Sequence, residues 1–406
     1  MSGHHGRSTM QRPQVGELSP PDRLLMGPGP SEVHPRTLRA MAAPPVGHLD
    51  PAFIEVMDET QELLRHVLRT ENQWTIPVSG TGSASMEAAI GNLTRPGDTV
   101  LVPSNGYFGD RMAAMVRRAG GEPVRVDAPW GEPLDPDDVN EAFAEHDPDL
   151  FGFVHAETST GVKQPDVPAL TDIAHDNDAL VIADVVTSLG GVEFRMDEWG
   201  VDAAYSAGQK CLSCPPGASP LSLNGRAMER VQSREERPRS WYLDLTLLDE
   251  YWGDERAYHH TAPVSNVYAL RESLRLVVEE GLEERWARHE RVAGALREGL
   301  AAMGLEPVAE PDWWLPSLNT ARLPETAHVE PGDVIDRMLH EHDIEIAGGL
   351  GDLAGEVLRV GCMGHGARPD NVTALVAALG DSLLALGVDV DADAGLSTVR
   401  ASLRES

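Results

Sequence analysis

The segment VDAAYSAGQKCL at residues 201–212 contains the feature around which the fold is organised. It begins as an apolar run, continues through small residues and presents Lys210 with no acidic residue close to it. Pro215, Pro216 and Gly217 follow, so the pattern predicts a strand that gives way to a loop at the lysine. A desolvated lysine amine can lose its proton and react with a carbonyl carbon. The alternative is a solvated loop lysine.

The composition restricts the class of protein. The chain has 406 residues, 41% of them hydrophobic, which is enough for a large core and predicts two domains. Its net charge of −32 disfavours nucleic acid and anionic membranes as partners, because both would be repelled. The three cysteines, Cys211, Cys214 and Cys362, indicate a reducing compartment. Without a long apolar stretch or an apolar signal core, the sequence predicts a cytoplasmic protein.

The pattern along the chain predicts an α/β fold. Segments with helical periodicity alternate with short runs of Val, Ile and Leu, which is typical of a mostly parallel sheet. We predict a flexible tail at residues 1–22, a large domain at 23–280, a smaller C-terminal α/β domain at 281–390 and a second tail at 391–406. Gly281, inside a long helical stretch, marks the predicted boundary.

Residues 79–83 form a candidate anion site. A predicted strand at 74–78 leads into Ser-Gly-Thr-Gly-Ser, and a helix is predicted to begin at Ala84. A glycine-rich turn at a helix N-terminus exposes backbone N–H groups that favour a phosphate. The turn lacks the lysine and the spacing of a nucleoside-triphosphate loop, so the pattern alone leaves the ligand open.

Two charged residues stand in predicted buried strands. Asp184 ends the apolar run 180–183, where a carboxylate needs a cation, a hydrogen-bond donor or a role as a helix cap. Arg359 is the only charge in the strand predicted at 357–361. Its planar fork fits a carboxylate, which is either a ligand or the side chain of an internal salt bridge.

Several loop residues have both a structural and a functional interpretation. Phe108, between glycines at a predicted strand end, can stack on a planar ring or belong to the core. The Gly-Pro alternation around Gly29 is either a turn at the start of the domain or a loop over a ligand. His259 and His260 lack a third ligand at suitable spacing, and so does the Cys211–Cys214 pair. We therefore predict that the two histidines lie in a polar loop, that the two cysteines are buried thiols, and that neither pair binds a metal.

In combination and in chain order, these segments resemble the class V aminotransferases, which are fold type I enzymes dependent on pyridoxal 5′-phosphate (PLP). The alanine–glyoxylate and serine–pyruvate aminotransferases are the most similar group. The resemblance covers about residues 23–390. The acidic, lysine-poor composition resembles proteins of salt-loving archaea. The matching motifs are residues 25–31, 79–83, 105–111, 157–161, 184 with 188–191, 205–210, 215–217, 258–261 with 263, and 358–361.

The resemblance implies a large domain with a mostly parallel seven-stranded sheet, a small C-terminal domain and a set of site residues. Lys210 would bind PLP as an imine and move a proton between the substrate Cα and the cofactor carbon. Asp184 would pair with the pyridine nitrogen. The remaining implied contacts are Phe108 on the ring face, Thr158 at the ring edge, Thr81, Gly82, Ser83 and Gln209 on the phosphate, Tyr258 and Thr261 on the phosphate from the second subunit, and Arg359 on the substrate carboxylate beneath the Gly29 loop.

Two positions depart from some members of the family, which have tryptophan in place of Phe108 and histidine in place of Ser83. The resemblance therefore leaves the fine tuning of the cofactor open at these two positions.

The predicted function is transamination from a small amino acid (alanine, serine or aspartate) to glyoxylate or pyruvate, in a homodimer with sites at the subunit interface. One alternative is a lyase of the cysteine desulfurase type, which needs a cysteine on a mobile loop. Cys362 is the candidate, although it follows a predicted strand closely. Another alternative is a non-catalytic homologue, against which the intact set of Lys210, Asp184 and Arg359 argues.

Overall fold

The computed structural model describes residues 14–324 and 328–405. Residues 1–13 of the predicted N-terminal tail lie outside this part, and residues 14–22 are exposed and have no helix or strand. The strands are β1 (Leu24–Leu25), β2 (Trp74–Gly80), β3 (Thr99–Leu101), β4 (Glu122–Val124), β5 (Leu150–Val154), β6 (Ala156–Glu157), β7 (Val162–Lys163), β8 (Leu180–Asp184), β9 (Ala203–Tyr205), β10 (Gly217–Leu223), β11 (Glu306–Pro307), β12 (Leu318–Arg322), β13 (Ile344–Glu345), β14 (Ala347–Gly348) and β15 (Val357–Gly361).

The α-helices surround these strands. They are α1 (Pro35–Met41), α2 (Pro51–Leu68), α3 (Gly82–Leu93), α4 (Tyr107–Ala119), α5 (Pro136–His146), α6 (Val167–Asp176), α7 (Gly225–Gln232), α8 (Leu245–Trp252), α9 (Val264–Glu280), α10 (Leu282–Met303), α11 (Pro331–Glu341), α12 (Pro369–Ala385) and α13 (Ala392–Glu405). None of these helices is long and apolar enough to cross a membrane.

A seven-stranded sheet with the order β2-β10-β9-β8-β5-β3-β4 forms the centre of the fold. The five strands from β9 to β4 are parallel, and β10 runs antiparallel to β2 and β9. Every residue of β5 and β8 is buried, as expected for strands covered on both faces. The predicted α/β class and mostly parallel sheet are confirmed. The register pairs Asp184 with Tyr205, so the carboxylate lies beside the strand that leads to Lys210.

A second sheet, β11-β12-β15-β14, is antiparallel and carries Arg359 on β15. It shares a separate apolar core with residues of α10, α11, α12 and α13. Gly281, with φ of 86°, separates α9 from α10 at the position of the predicted domain boundary. The structure shows two separate sheets, each with its own core, but it does not itself divide the chain into domains. The boundaries 23–280 and 281–390 therefore stay predictions.

The structure corrects two details at the chain ends. The predicted tail at 391–406 is wrong from residue 392 to 405, because α13 is a helix there and its Val399 is fully buried against the second core. At the other end, β1 pairs in parallel with β13. Leu24 and Leu25 therefore attach to the C-terminal layer, although the sequence placed residues 23–280 in one domain. A short strand has too few residues to indicate which distant strand it pairs with.

Candidate active site

Lys210 lies in the turn after β9, beneath the segment that contains Gly29. Its Nζ donates a hydrogen bond to the carbonyl oxygen of Pro28. Ser31 binds the same turn, since its N–H donates to the backbone carbonyl oxygen of Gln209 at 2.9 Å and its hydroxyl to the backbone carbonyl oxygen of Lys210 at 2.6 Å. Gly29 has φ of 112°, and a Cβ there would lie 2.8 Å from Lys210 Nζ. The glycine therefore lets the segment cover the amine closely.

Burial changes the chemistry of the lysine. Desolvation lowers the pKa of Lys210 to about 8. The solvated-lysine interpretation is wrong, because the amine is half-buried and bonded to a backbone carbonyl. An amine with this pKa is partly neutral near physiological pH, as nucleophilic and proton-transfer chemistry requires.

Asp184 is 4% exposed at the end of β8. Its carboxylate accepts hydrogen bonds from the Val186 N–H and the Tyr205 hydroxyl, both at 2.9 Å. Desolvation raises the pKa of Asp184 to about 6. The helix-cap interpretation is wrong, because the next helix along the chain, α7, begins only at Gly225. The carboxylate is held at the carboxyl edge of the sheet, where α/β proteins bind ligands.

The first turn of α3 lies against the lysine turn. The Ser85 hydroxyl donates to the Ser206 carbonyl oxygen at 2.8 Å, and a Cβ on Gly82 would lie 2.7 Å from the Ala207 Cβ. The side chain of Thr81 does not cap α3, which leaves the helix N-terminus open to an anion. Gln209 Oε1 is buried and has no partner among the described residues.

Phe108 lies in the first turn of α4, which is anchored by a buried carboxylate. Its N–H donates to Glu157 Oε2 at 3.0 Å, while Ser159 binds Glu157 Oε1 through both its N–H and its hydroxyl. Burial raises the pKa of Glu157. The Arg111 guanidinium lies 4.8 Å from the Phe108 ring centroid. Phe108 is half-buried, so its ring packs on the core and keeps an accessible part.

Arg359 is 5% exposed and connects the two layers of the fold. Its Nε donates to the Gly348 oxygen at 2.6 Å and its Nη1 to the Thr158 oxygen at 3.1 Å. Among the described residues, no carboxylate forms a salt bridge with it, so the internal salt bridge is not observed there. Desolvation lowers the pKa of Arg359. A buried guanidinium bonded only to neutral oxygens favours an anionic ligand.

Tyr258 and Thr261 are exposed on a segment outside this cluster. Tyr258 is 64% exposed, and neither residue hydrogen-bonds to Lys210, Asp184 or Arg359 in the part of the chain that the structure describes. Both remain available to a second subunit. Cys362 is fully buried after β15, which disfavours the desulfurase alternative because that chemistry needs a mobile, accessible thiol.

The known proteins that match this chain are consistent with the geometry. The sequence profile of the family Aminotransferase class-V matches residues 36–353. The chain belongs to the class V aminotransferases. The (S)-ureidoglycine–glyoxylate transaminase of Bacillus subtilis is 37% identical to this aminotransferase in an alignment 398 residues long, which covers 94% of this chain and 95% of that protein.

Two alanine–glyoxylate aminotransferases are also similar to this aminotransferase. The protein of Mus musculus is 40% identical in an alignment 370 residues long, which covers 90% of this chain and 89% of that one. The crystal structure from Nostoc sp. has a TM-score of 0.90 and 48% identity, and the match covers 92% of this chain and 98% of that chain. The aminotransferase therefore has the fold type I architecture of the PLP-dependent class V family.

The described residues of this aminotransferase fit PLP. The desolvated amine of Lys210, the buried carboxylate of Asp184, the uncapped N-terminus of α3 and Gln209 Oε1, which has no partner among the described residues, lie around one edge of the sheet. Sequence reasoning missed three contributors: Tyr205, the carbonyl of Pro28 and the positioning carboxylate of Glu157. Tyr205 and Glu157 belong to the matching motifs 205–210 and 157–161 at predicted strand ends, and this position could have identified them as site residues. A backbone carbonyl carries no such signal.

Proposed function

We propose that this aminotransferase transfers the amino group of a small amino acid (alanine, serine or aspartate) to glyoxylate or pyruvate, with PLP bound at Lys210. The observation that carries the proposal is that Arg359 is buried and has no carboxylate partner among the described residues. It donates a hydrogen bond to the Thr158 carbonyl, shortly after strand β5, which pairs with the strand β8 that ends at Asp184. Glyoxylate appears in the names of all three relatives described above, which supports it as the acceptor.

The residues that would hold PLP are those assigned from the sequence. Thr81, Gly82, Ser83 and Gln209 would bind the phosphate, with Tyr258 and Thr261 of a second copy of the chain, and Phe108 and Thr158 would contact the ring. PLP supplies an aromatic ring that accepts electron density from the substrate Cα. This assignment includes a homodimer in which each site takes residues from both subunits.

The chain's own groups would perform four tasks. Arg359 would orient the substrate carboxylate, because its fork matches the two carboxylate oxygens. Lys210 Nζ would accept and return the Cα proton, since burial lowers its pKa to about 8. The Asp184 carboxylate, aligned by Tyr205 and Val186, would place negative charge at the pyridine nitrogen. The segment around Gly29 would exclude water from the amine.

A direct test is a screen of amino donors against glyoxylate and pyruvate with the purified protein and added PLP. We expect alanine with glyoxylate to yield pyruvate and glycine in equal amounts. Release of sulfide from cysteine without transfer of an amino group would favour the lyase instead. Absence of turnover with every donor, in protein that binds PLP, would favour the non-catalytic homologue.

The pKa of Lys210 predicts how PLP capture depends on pH. Only the neutral amine attacks a carbonyl carbon, so the capture rate by PLP-free protein should rise with pH and level off above about pH 8, where Lys210 loses its proton. Stopped-flow absorbance of bound PLP measures this rate, and Lys210→Ala is the blank. If the capture rate continues to rise until about pH 10.5, the pKa of an unperturbed lysine, the result would contradict a buried Lys210.

Asp184→Asn should slow transamination by about 10²-fold or more and weaken PLP binding, because the pyridine nitrogen loses its anionic partner. Tyr205→Phe is the matched variant, since it removes one donor to the carboxylate and keeps the charge. We expect a smaller loss there. Rate and PLP affinity measured on both variants test this order, and an Asp184→Asn enzyme as active as the parent would remove Asp184 from the site.

A further inference from the structure

The histidine pair at residues 259 and 260 is buried, although the sequence predicted a polar loop. The two side chains are 7% and 8% exposed. His259 stacks on the Trp241 ring with centroids 4.4 Å apart, and His260 meets the rings of Tyr242 at 5.0 Å and Tyr251 at 5.4 Å. Two imidazoles enclosed by aromatic rings need hydrogen-bond partners, because burial of unpaired polar atoms is costly.

The pair forms a continuous chain of hydrogen bonds. His259 Nε2 lies 3.4 Å from the Trp241 carbonyl oxygen, His259 Nδ1 lies 2.8 Å from His260 Nδ1, and His260 Nε2 lies 2.6 Å from Ser79 Oγ. Because a carbonyl oxygen only accepts, His259 Nε2 must carry a hydrogen. In the neutral pair His260 Nδ1 then donates to His259, and the Ser79 hydroxyl donates to His260 Nε2.

One added proton reverses the last bond. A pair with three ring hydrogens still has only one hydrogen between the two Nδ1 atoms, so His260 Nε2 gains a hydrogen and donates to Ser79 Oγ. Ser79 Oγ then accepts the hydrogen bond from His260. The Ser79 hydroxyl keeps its own hydrogen, which no longer bonds to the histidine and can be donated to another acceptor. The protonation state of the pair therefore decides whether Ser79 can donate a hydrogen bond elsewhere.

Ser79 is the last but one residue of β2, two positions before Thr81, the first residue assigned to the PLP phosphate. We infer that Ser79, His260 and His259 form a proton-linked relay that couples anion binding in the 80–83 turn to protonation of the histidine pair. The inference rests on the proposed function, because it takes this turn as the phosphate site. His259 and His260 are positioning residues that act through Ser79, and the proton comes from solvent.

The surroundings of the pair determine the sign of the coupling. Burial lowers the pKa of His260 to about 4, with further lowering by His259 and His48, so His260 is neutral in the anion-free protein near neutral pH. An anion in the turn favours the protonated pair and raises its pKa, and lower pH must therefore strengthen anion binding. The groups that face the histidine pair are Ser79 from β2, Tyr251 from α8, Trp241 and Tyr242 from the segment before α8, and His48 from the segment before α2.

Sulfate binding to PLP-free protein tests the relay, because sulfate keeps its double charge over the whole range used. We expect the sulfate dissociation constant of the parent to fall as the pH is lowered from about 8 to about 4, by up to about tenfold for each unit by which the anion raises the pKa of His260. In Ser79→Ala and His260→Gln this extra dependence should disappear. His66→Gln, at an exposed histidine of α2, is the control that should keep the parent's behaviour.

The comparison with Ser79→Ala separates the relay from the general effect of pH on an acidic protein, since both proteins carry the same surface charge. Calorimetric titration of sulfate at each pH, with a melting curve for each variant, provides the measurement. Equal pH dependence in the parent and Ser79→Ala would overturn the relay and leave PLP capture by Lys210 intact. A parent protein that binds neither sulfate nor PLP would overturn both the relay and the proposed function.

Discussion

Lys210→Ala is expected to reduce transamination by about 10²–10⁴-fold or more, the largest effect of any single substitution in this aminotransferase. The variant loses the covalent attachment point for PLP and the amine that moves the Cα proton. Among the described residues, the only other lysine is Lys163 on β7, away from the turn that carries Lys210. Turnover of alanine with glyoxylate and retention of PLP after gel filtration measure both losses.

Lys163→Ala is the matched control, because it removes the same side chain from the other lysine position. It should keep the rate and the bound PLP of the parent. A Lys210→Ala enzyme that turns over at the parent's rate, or a Lys163→Ala enzyme that loses PLP, would show that the lysine was assigned wrongly.

Lys210→Ala also has a predictable effect on the free energy of unfolding. Burial lowers the pKa of Lys210 from 10.5 to about 8, so the folded state binds fewer protons than the unfolded state between these values. The stability of the PLP-free parent therefore rises with pH across this window. Lys210→Ala lacks this titration, so it should be at least as stable as the parent at pH 7, and its advantage should shrink towards pH 10.5. Denaturant melts at several pH values check the trend.

Arg359→Lys is expected to raise the donor concentration needed for half-saturation by about 10- to 100-fold, because a bidentate carboxylate contact becomes a single one. The rate at saturation should also fall, since the carboxylate clamp aligns the Cα–H bond with Lys210. Arg359→Ala should be worse for donor binding. PLP absorbance and initial rates over a range of alanine concentrations separate the two effects.

Arg322→Lys is the control for the second sheet. Arg322 lies on the neighbouring strand β12 and forms an exposed ion pair with Glu356, so its replacement should leave donor saturation unchanged. If both Arg359 variants lower the melting temperature while donor saturation stays at the parent's value, Arg359 supports the fold through Gly348 and Thr158 and does not bind substrate.

Much of the fold and part of the site follow from local sequence. The apolar run ending at Asp184 and the position of Lys210 after β9 appear in the structure where the pattern predicted them. The Ser-Gly-Thr-Gly-Ser segment does connect β2 to α3, but β2 extends to Gly80 and α3 begins at Gly82 instead of at Ala84. Each depends on residues adjacent in the chain, since alternation, glycine content and strand ends are local properties. The parallel sheet followed from the same alternation of helices and strands.

Only the tertiary structure decided the partners of these residues. The Pro28 carbonyl that binds Lys210 Nζ is 182 positions away in the chain, and the Thr158 carbonyl that binds Arg359 is 201 positions away. Every residue has a carbonyl, so residue type gives no indication of which one will accept the bond. The pairing of β1 with β13 and the burial of α13 are likewise long-range. Sequence determined which chemical groups are present at the strand ends, and packing determined which of them are desolvated, paired or left free to bind a ligand.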